Sequence, residues 1–352
     1  MSLASSAAIT STAPRVLIVK LSSLGDVVHA MPVVHDILHA YPGALIDWVV
    51  EPAFARVVQR VEGINAVIEC SLRGWTKRWW ASEVRAEWRA FRLALGAVKY
   101  HAVIDLQGLT KSAVVARMAH GLSYGMAHAT DGSSFEAPAR WLIDHPISMP
   151  AHVHAVDRSR QLAAAALKFE LQGSPQYGLK ATVQPAASPA LSNTVVFVHG
   201  TSRADKLWPQ ADWIALGQRL AAQGWHIALP RTGGVERERA HAIASAINNV
   251  AGDQAVVWPA MNLDDLIDRL GSCQGVIGVD SGLSHIAVAL NLPHVQIYNF
   301  PTAWRTGPQP AHGHLHQVSV QGSPSPSTST STSTSPSLDV VAAAWQQVAQ
   351  AI

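Results

Sequence analysis

Cysteine is nearly absent from this chain: Cys70 and Cys273 are the only two in 352 residues, far apart and outside any Cys-x-x-Cys pattern. A disulfide framework and a thiolate zinc site are thereby excluded as organising devices, and a reducing compartment is expected. Charge is also scarce. Charged residues make up 14% against 48% hydrophobic, and the formal net charge is +2. That balance excludes both a disordered chain and the dense basic footprint of a protein that wraps nucleic acid. No apolar run reaches the ~20 residues of a membrane-spanning helix, and the first fourteen residues lack the basic start and apolar stretch of a secretory signal. The expectation is a cytoplasmic protein, attached to a membrane at most peripherally.

What the chain does have is rhythm. From Arg15 onward, short β-branched runs alternate with amphipathic stretches of helical period, the pattern of βα units around a parallel sheet. Strands are predicted at 16–19, 46–50, 66–68 and 102–104, with helices over 27–39 and 83–98. A polar stretch at 172–193 interrupts the pattern. It restarts with strands at 195–198, 226–229, 255–258, 276–279 and 295–298 and helices over 213–223 and 263–271. Because single cores stop growing near ~250 residues, a chain of 352 calls for two domains. The predicted α/β architecture has a flexible tail at 1–14, a Rossmann-like domain at 15–171, a linker at 172–193 and a second Rossmann-like domain at 194–320. A Ser/Thr/Pro repeat at 321–337 cannot bury a core and is expected as a mobile loop. Helical spacing returns at 338–352, giving a terminal helix for which docking across the domains is one expectation.

Open α/β sheets bind ligands beyond the carboxyl ends of their strands, so the residues following each run carry the chemistry. After the first strand comes Leu21-Ser22-Ser23-Leu24-Gly25-Asp26. Spacing alone leaves Asp26 between two roles, a helix cap and a carboxylate facing the interdomain cleft. After the first strand of the second half comes His199-Gly200-Thr201-Ser202-Arg203-Ala204-Asp205-Lys206-Leu207-Trp208-Pro209. There the hydroxyls of Thr201 and Ser202 and the ammonium of Lys206 suit a diphosphate, unless the segment is simply a solvated loop. Val279-Asp280-Ser281-Gly282-Leu283-Ser284-His285 offers Ser281 and Gly282 N–H groups at a helix start as a phosphate site. Asp280 would repel phosphate, so it is read as a partner for sugar hydroxyls or as the group that orients His285, itself equally readable as a satisfied core histidine. Glu236, in Arg231-Thr232-Gly233-Gly234-Val235-Glu236, either accepts from ribose hydroxyls or serves a helix dipole. His312, His314 and His316 alternate like metal ligands but lack carboxylate or thiolate support in sequence; a surface strand or loop, and no metal site, is expected.

Together these stretches resemble the lipopolysaccharide heptosyltransferase family, glycosyltransferase family 9. The likeness runs almost end to end. It rests on Arg15-Val16-Leu17-Ile18-Val19-Lys20 with Ser22-Ser23-Leu24-Gly25-Asp26, on Asp47-Trp48-Val49-Val50-Glu51, on Asp105-Leu106-Gln107-Gly108-Leu109 with Lys111-Ser112, on Asp205-Lys206 with Trp208-Pro209, and on Asp280-Ser281-Gly282-Leu283-Ser284-His285. The resemblance implies a GT-B fold, two Rossmann-like domains facing each other across a cleft, and an inverting glycosyl transfer with no cofactor. It implies ADP-heptose as donor and the Kdo of Kdo2-lipid A as acceptor, hence the addition of the first heptose of the inner core. Asp26 becomes the catalytic base, Lys206 the diphosphate ligand and Glu236 the ribose ligand. Thr201, Ser202, Met261, Asp280, Ser281, Gly282 and His285 complete the donor side. No Asp-x-Asp metal motif is present, so donor activation is expected without a tightly held cation.

On the acceptor side the resemblance points to Ser22, Ser23, Gly25, Arg73, Lys77, Lys111, His154 and Arg158. The segment Arg73-Gly74-Trp75-Thr76-Lys77-Arg78-Trp79-Trp80 sets cations beside aromatics, which suits an anionic, lipid-linked acceptor and contact with the inner membrane's cytoplasmic face. Its plainer reading is a helix entry with core tryptophans. Two stretches depart from the family: Thr130-Asp131-Gly132-Ser133-Ser134 stands where relatives carry an arginine-containing loop, and Asn299-Phe300-Pro301-Thr302-Ala303-Trp304-Arg305 replaces a Gly-Pro-Thr turn. The rival readings are a transferase that adds a later heptose and a nucleotide-sugar-binding protein of the same fold without turnover.

Overall fold

The structure, a computed structural model, describes residues 13–182, 193–324 and 333–350. Most of the 1–14 tail, the middle of the 172–193 stretch and the centre of the Ser/Thr/Pro repeat lie outside the described residues. The first half runs β1 (Arg15–Val19), α1 (Leu24–Ala30), α2 (Pro32–Ala40), β2 (Leu45–Val50), α3 (Pro52–Gln59), β3 (Ile64–Glu69), α4 (Leu72–Lys77), α5 (Ser82–Gly96), β4 (Ala102–Asp105), α6 (Thr110–Met118), β5 (Ser123–Met126), α7 (Ala139–Leu142), β6 (His145–Ile147) and α8 (Ala155–Leu167). The second half runs β7 (Thr194–Val198), α9 (Gln210–Ala221), β8 (His226–Leu229), α10 (Gly234–Ala251), β9 (Ala255–Val257), α11 (Leu263–Gly271), β10 (Gly275–Val279), α12 (Gly282–Ala289), β11 (His294–Tyr298), α13 (Ala303–Thr306) and β12 (Gln317–Gln321). The pair β13 (Ser323–Pro324) and β14 (Ser333–Thr334) and the helix α14 (Leu338–Ala349) follow.

The strands form two six-stranded parallel sheets, ordered β3-β2-β1-β4-β5-β6 and β9-β8-β7-β10-β11-β12. The order reverses between β1 and β4 in one sheet and between β7 and β10 in the other, so each has a crevice at that point. Burial explains why the strands read as unbroken apolar runs. In β1, Val16 and Ile18 enter one core cluster while Leu17 and Val19 enter another on the opposite face. Each such side chain contributes roughly 1.5–3 kcal/mol by leaving water.

Two expectations need correction. The single helix expected over 27–39 is two, because Pro32 lacks an N–H and starts α2 at its first position, while Met31 ends one helix and precedes the next. The terminal helix does not dock across the halves. α14 packs on β11, β12 and α9, with Val341, Trp345 and Val348 in the second core, because a parallel sheet needs that face covered.

The halves meet chiefly through α1 and α12. Two glycines permit the approach: a Cβ on Gly25 would lie 2.7 Å from His285 Cδ2, and one on Gly282 would lie 2.8 Å from Leu24 Cδ2. The core is continuous there, from Val28 and Met31 to Ile286 and Ala287. Arg60 of the first half adds ion pairs to Asp264 and Asp268 of the second. Among the described residues, no helix is long and apolar enough to cross a membrane.

Candidate active site

The two crevices open onto one cleft of about 780 Å³. The first half contributes Ser23, Leu24 and Gly25. The second contributes residues that include Thr201, Ser202, Lys206, Glu236, Asp280, Ser281, Gly282 and His285, so every donor-side candidate except Met261 is brought together. Met261 is half-buried against the shared core and is not among the lining residues.

At the floor of this cleft a directed hydrogen-bond chain crosses between the halves. Lys206 Nζ donates to Asp280 Oδ2 at 2.6 Å, and His285 Nε2 lies 3.2 Å from Asp280 Oδ1. The other nitrogen of His285, Nδ1, is 3.3 Å from His29 Nε2. One tautomer set fits these distances: His29 donates to His285, which donates to Asp280. Burial would raise the Asp280 carboxyl, but the His285 and Lys206 contacts overcome it and hold the group well below the usual carboxylate range. Asp280 is thus in place to orient His285, the second of the two roles read from sequence, and His285 is buried as a core histidine would be.

Around that chain the surroundings favour an anion. Ser281 precedes α12 without capping it, leaving first-turn N–H groups for a ligand. Thr201 Oγ1 is tied to the Asp280 carbonyl at 3.2 Å, which seats its loop on the helix start. Glu236 accepts from the N–H of Thr232 at 2.9 Å and from the Thr232 hydroxyl, and its carboxylate rests on Gly200 where any Cβ would collide with Oε1.

Asp26 performs the cap that spacing allowed. Its Oδ2 accepts from Ser23 N–H at 3.1 Å and from Ser23 Oγ at 2.9 Å. Its Oδ1 is 3.8 Å from Lys20 Nζ, and its side chain remains 41% exposed. Asp26 itself does not line that cleft. Desolvation raises its carboxyl, but Lys20, the two Ser23 bonds and Arg158 more than offset that and lower it. Lys20 is buried, with Nζ bonded to the Leu106 carbonyl at 2.9 Å, and burial lowers its ammonium. Gln107 Oε1 accepts from the N–H groups of Leu21 and Ser22, fixing the loop that carries Asp26.

The acceptor-side candidates fall into separate places. Arg73 Nε and Lys111 Nζ converge on Glu51 Oε1 at 3.2 and 3.9 Å, and Lys77 is exposed nearby on α4. Trp75 is core, bonded to Glu87, whereas Trp79 and Trp80 are 70% and 61% exposed; the aromatics therefore divide between the two readings. Arg158 is buried beside Asp26 and donates to Thr130 Oγ1 at 3.2 Å. His154 is buried too, with Nε2 3.1 Å from the Gly307 carbonyl and burial pushing its imidazole down to about 4.

Two further results were not foreseen. His312 and His314 are buried rather than on a surface strand, because the turn that carries them folds against α8 and Tyr177. Arg305, from the departing segment, lies over Gly132 in the loop that lacks an arginine, while Trp304 stacks on His152 at 3.6 Å. Arg305 also faces Arg158, whose guanidinium is lowered by burial, raised by Asp26 and lowered by Arg305. A lone Arg in an irregular stretch gave no signal of this. Lys20, a charge closing an otherwise apolar strand, did give one.

Known proteins resemble this chain in sequence and in fold. The model of the family described as glycosyltransferase family 9 (heptosyltransferase) matches residues 88–336. Lipopolysaccharide heptosyltransferase 1 of Escherichia coli K12 is 38% identical over 286 residues, covering 81% of this chain and 87% of that protein. The solved structure of E. coli heptosyltransferase WaaC with ADP superposes with a TM-score of 0.77 at 35% identity, covering 88% of this chain and 93% of that one. The same enzyme with ADP-2-deoxy-2-fluoro heptose gives 0.74 at the same identity and coverage. With a cleft assembled from both sheet crevices and a family match across most of its length, the chain belongs to glycosyltransferase family 9, the heptosyltransferases.

Proposed function

We propose that this chain transfers a heptose from ADP-heptose, with inversion, to the Kdo of Kdo2-lipid A; heptosyl transfer in lipopolysaccharide synthesis is what the names of its relatives state. The observation that carries this reading is the cleft in which Lys206, Asp280, His285 and the α12 N-terminus face the loop bearing Asp26. In this reading residues 194–320 hold the donor and 15–171 the acceptor.

Lys206, the Thr201 and Ser202 hydroxyls and the first N–H groups of α12 take the diphosphate, and Glu236 takes the ribose. As the bond from the anomeric carbon to the diphosphate breaks, negative charge grows on the leaving ADP, and these fixed donors stabilise it. Asp26 accepts the proton of the attacking Kdo hydroxyl from the opposite side, and its carboxylate also favours the positive charge developing at the anomeric carbon. Lys20 and Arg158 hold that carboxylate ionised until the proton arrives. Ser22, Ser23 and Gly25 shape the acceptor's approach, with Lys111, His154 and Arg158 around it. Arg305 joins Arg158 as a cation for the Kdo carboxylate. Arg73 and Lys77, beside the exposed Trp79 and Trp80, meet the lipid-linked phosphates at the inner face of the cytoplasmic membrane.

The test is ADP release by purified protein given ADP-heptose and Kdo2-lipid A. Release is expected with this acceptor. Release only with an acceptor that already carries a heptose would assign the chain to a later step, and none with either would leave a binding protein without turnover.

A further inference from the structure

We propose that His154, Asp157 and His312 form a binding site for one divalent transition ion of the zinc type, set between the two halves of the molecule. His154 caps α8 and Asp157 lies in its first turn, three residues on, so both face the same way. His312 comes from the second half, at the end of the short 3-10 turn Pro310–His312. One ligand atom from each residue lies within 4.8 Å of the other two. Tetrahedral ligands with bonds of ~2.1 Å lie ~3.4 Å apart, so a shift of about 1.5 Å or less closes the set. His312 Nε2 is already 3.0 Å from both Asp157 oxygens, about the separation of adjacent ligands on a metal with ~2.1 Å bonds.

The proton positions favour the same reading. His154 Nε2 faces the Gly307 carbonyl at 3.1 Å, which fixes the proton there and leaves the Nδ1 lone pair free of a proton. Metal-binding histidines commonly donate their second nitrogen to a backbone carbonyl in this way. At present Nδ1 accepts a long 3.2 Å bond from Val156 N–H, and an ion would take over that lone pair. His312 Nδ1 is buried with no hydrogen-bond partner, so it is free to take the proton that Nε2 gives up, at the cost of an N–H without the partner that His154 has. Binding releases the proton from Nε2 and moves one to Nδ1 or to solvent. Two imidazoles and a carboxylate select first-row ions such as Zn2+ over Mg2+ and Ca2+, which prefer all-oxygen sites. His154 and His312 are buried, their rings 4.7 Å apart edge to face. An ion there ties α8 to the second half and acts as a clamp across the halves, which fixes His154 at the edge of the proposed acceptor region without touching the reacting atoms. The sequence predicts no metal here because His312, His314 and His316 have no carboxylate or thiolate support nearby in the chain; the carboxylate is Asp157, 155 residues away.

The test is titration of chelator-stripped full-length protein with Zn2+ by calorimetry, alongside a thermal scan. One equivalent is expected, displaced by no excess of Mg2+, with a higher melting midpoint. Asp157→Asn and His312→Ala are expected to lose the bound equivalent and the thermal shift, while His241→Ala, on the exposed face of α10, keeps both. Zinc binding that is absent, or unchanged in the first two variants, overturns the proposal. Should those variants not fold, zinc-soaked crystals of the parent decide it: an anomalous peak among the three side chains is expected, and a peak elsewhere or none rejects the site.

Discussion

Lys206 Nζ lies 2.6 Å from Asp280 Oδ2, and His285 Nε2 claims the other oxygen of the same carboxylate at 3.2 Å. Asp280 thus anchors an ammonium at the floor of the cleft while its own charge is engaged by two partners. Lys206 is 24% exposed, so it can share its protons with a diphosphate while remaining anchored. Removing it takes away a charge-assisted contact of ~1.5–3 kcal/mol and uncovers a carboxylate that repels phosphate. Lys206→Ala is expected to weaken ADP binding by about 10- to 100-fold in calorimetry. An unchanged affinity would remove Lys206 from the donor site.

Asp26 is both cap and candidate base, and the two roles separate on substitution. Asparagine keeps an acceptor for the Ser23 N–H and hydroxyl but cannot take a proton. Asp26→Asn is therefore expected to reduce kcat at least ~100-fold, with ADP affinity and melting midpoint close to those of the parent. A joint collapse of stability and ADP binding would mean that the carboxylate is structural.

How far the sequence reveals this site depends on what fixes each residue. Strand ends and their loops were legible because β1, β4, β7 and β10 are short apolar runs buried on both faces, and their following turns carry the chemistry. Thus Thr201, Ser202, Lys206, Asp280 and His285 fell into one cleft as their junctions suggested. The residues not legible owe their places to contacts between distant segments. His29 is buried against His285, 256 positions away, and no local pattern distinguishes it from any histidine on an apolar helix face. Arg305 reaches Gly132 across the halves, and His312 reaches Asp157. The break at Pro32 was visible, yet the apolar period runs through it, and periodicity alone hides a helix boundary of that kind.

Buried histidines set the stability at low pH. His154, His199, His294 and His314 are each pushed by burial to about 4 from an ordinary 6.5. The folded state then binds fewer protons than the unfolded one, so stability present above pH 6.5 is lost as pH falls towards 4. At pH 5 each costs up to about 2 kcal/mol. Asp105 runs the other way: burial raises it to about 6, so the folded state regains at most about 1–2 kcal/mol between pH 6 and 5. The histidines prevail. The urea midpoint is expected to fall markedly from pH 7.5 to 5, and a flat profile would contradict the burial of these rings.

Arg158 and Arg305 repel each other between the halves, and Arg158 hydrogen-bonds Thr130 rather than a carboxylate of the protein. In the proposed function, the acceptor's carboxylate would relieve that repulsion. Arg305→Ala is expected to raise KM for the acceptor by about 10-fold, the value of one charge-assisted contact, while ADP binding stays as in the parent. Lysine at this position should restore part of the loss. An unaltered acceptor KM would confine Arg305 to packing on Gly132.

The outer surface of the first half concentrates charge that the chain otherwise lacks. Residues 72–99 hold seven basic and two acidic side chains, a local +5 in a molecule of net +2. Trp79 and Trp80 project beside them, 70% and 61% exposed, with their rings 6.0 Å apart. Tryptophan favours the headgroup layer, and each basic residue near an anionic surface adds ~1 kcal/mol. Burial of these rings in the protein would stabilise it more than exposure does, so their position fits a surface that leaves water on docking. Cosedimentation with vesicles should therefore depend on both terms. The parent is expected to bind vesicles rich in anionic lipid and to detach at high salt, because screening removes the electrostatic share. Replacing Trp79 and Trp80 together by serine should reduce that binding at least ~10-fold, from the apolar area withdrawn, with ADP affinity retained because neither residue lines the donor cleft. Equal partitioning of variant and parent, or equal binding to neutral vesicles, would show that this face meets no membrane and that the acceptor arrives without one.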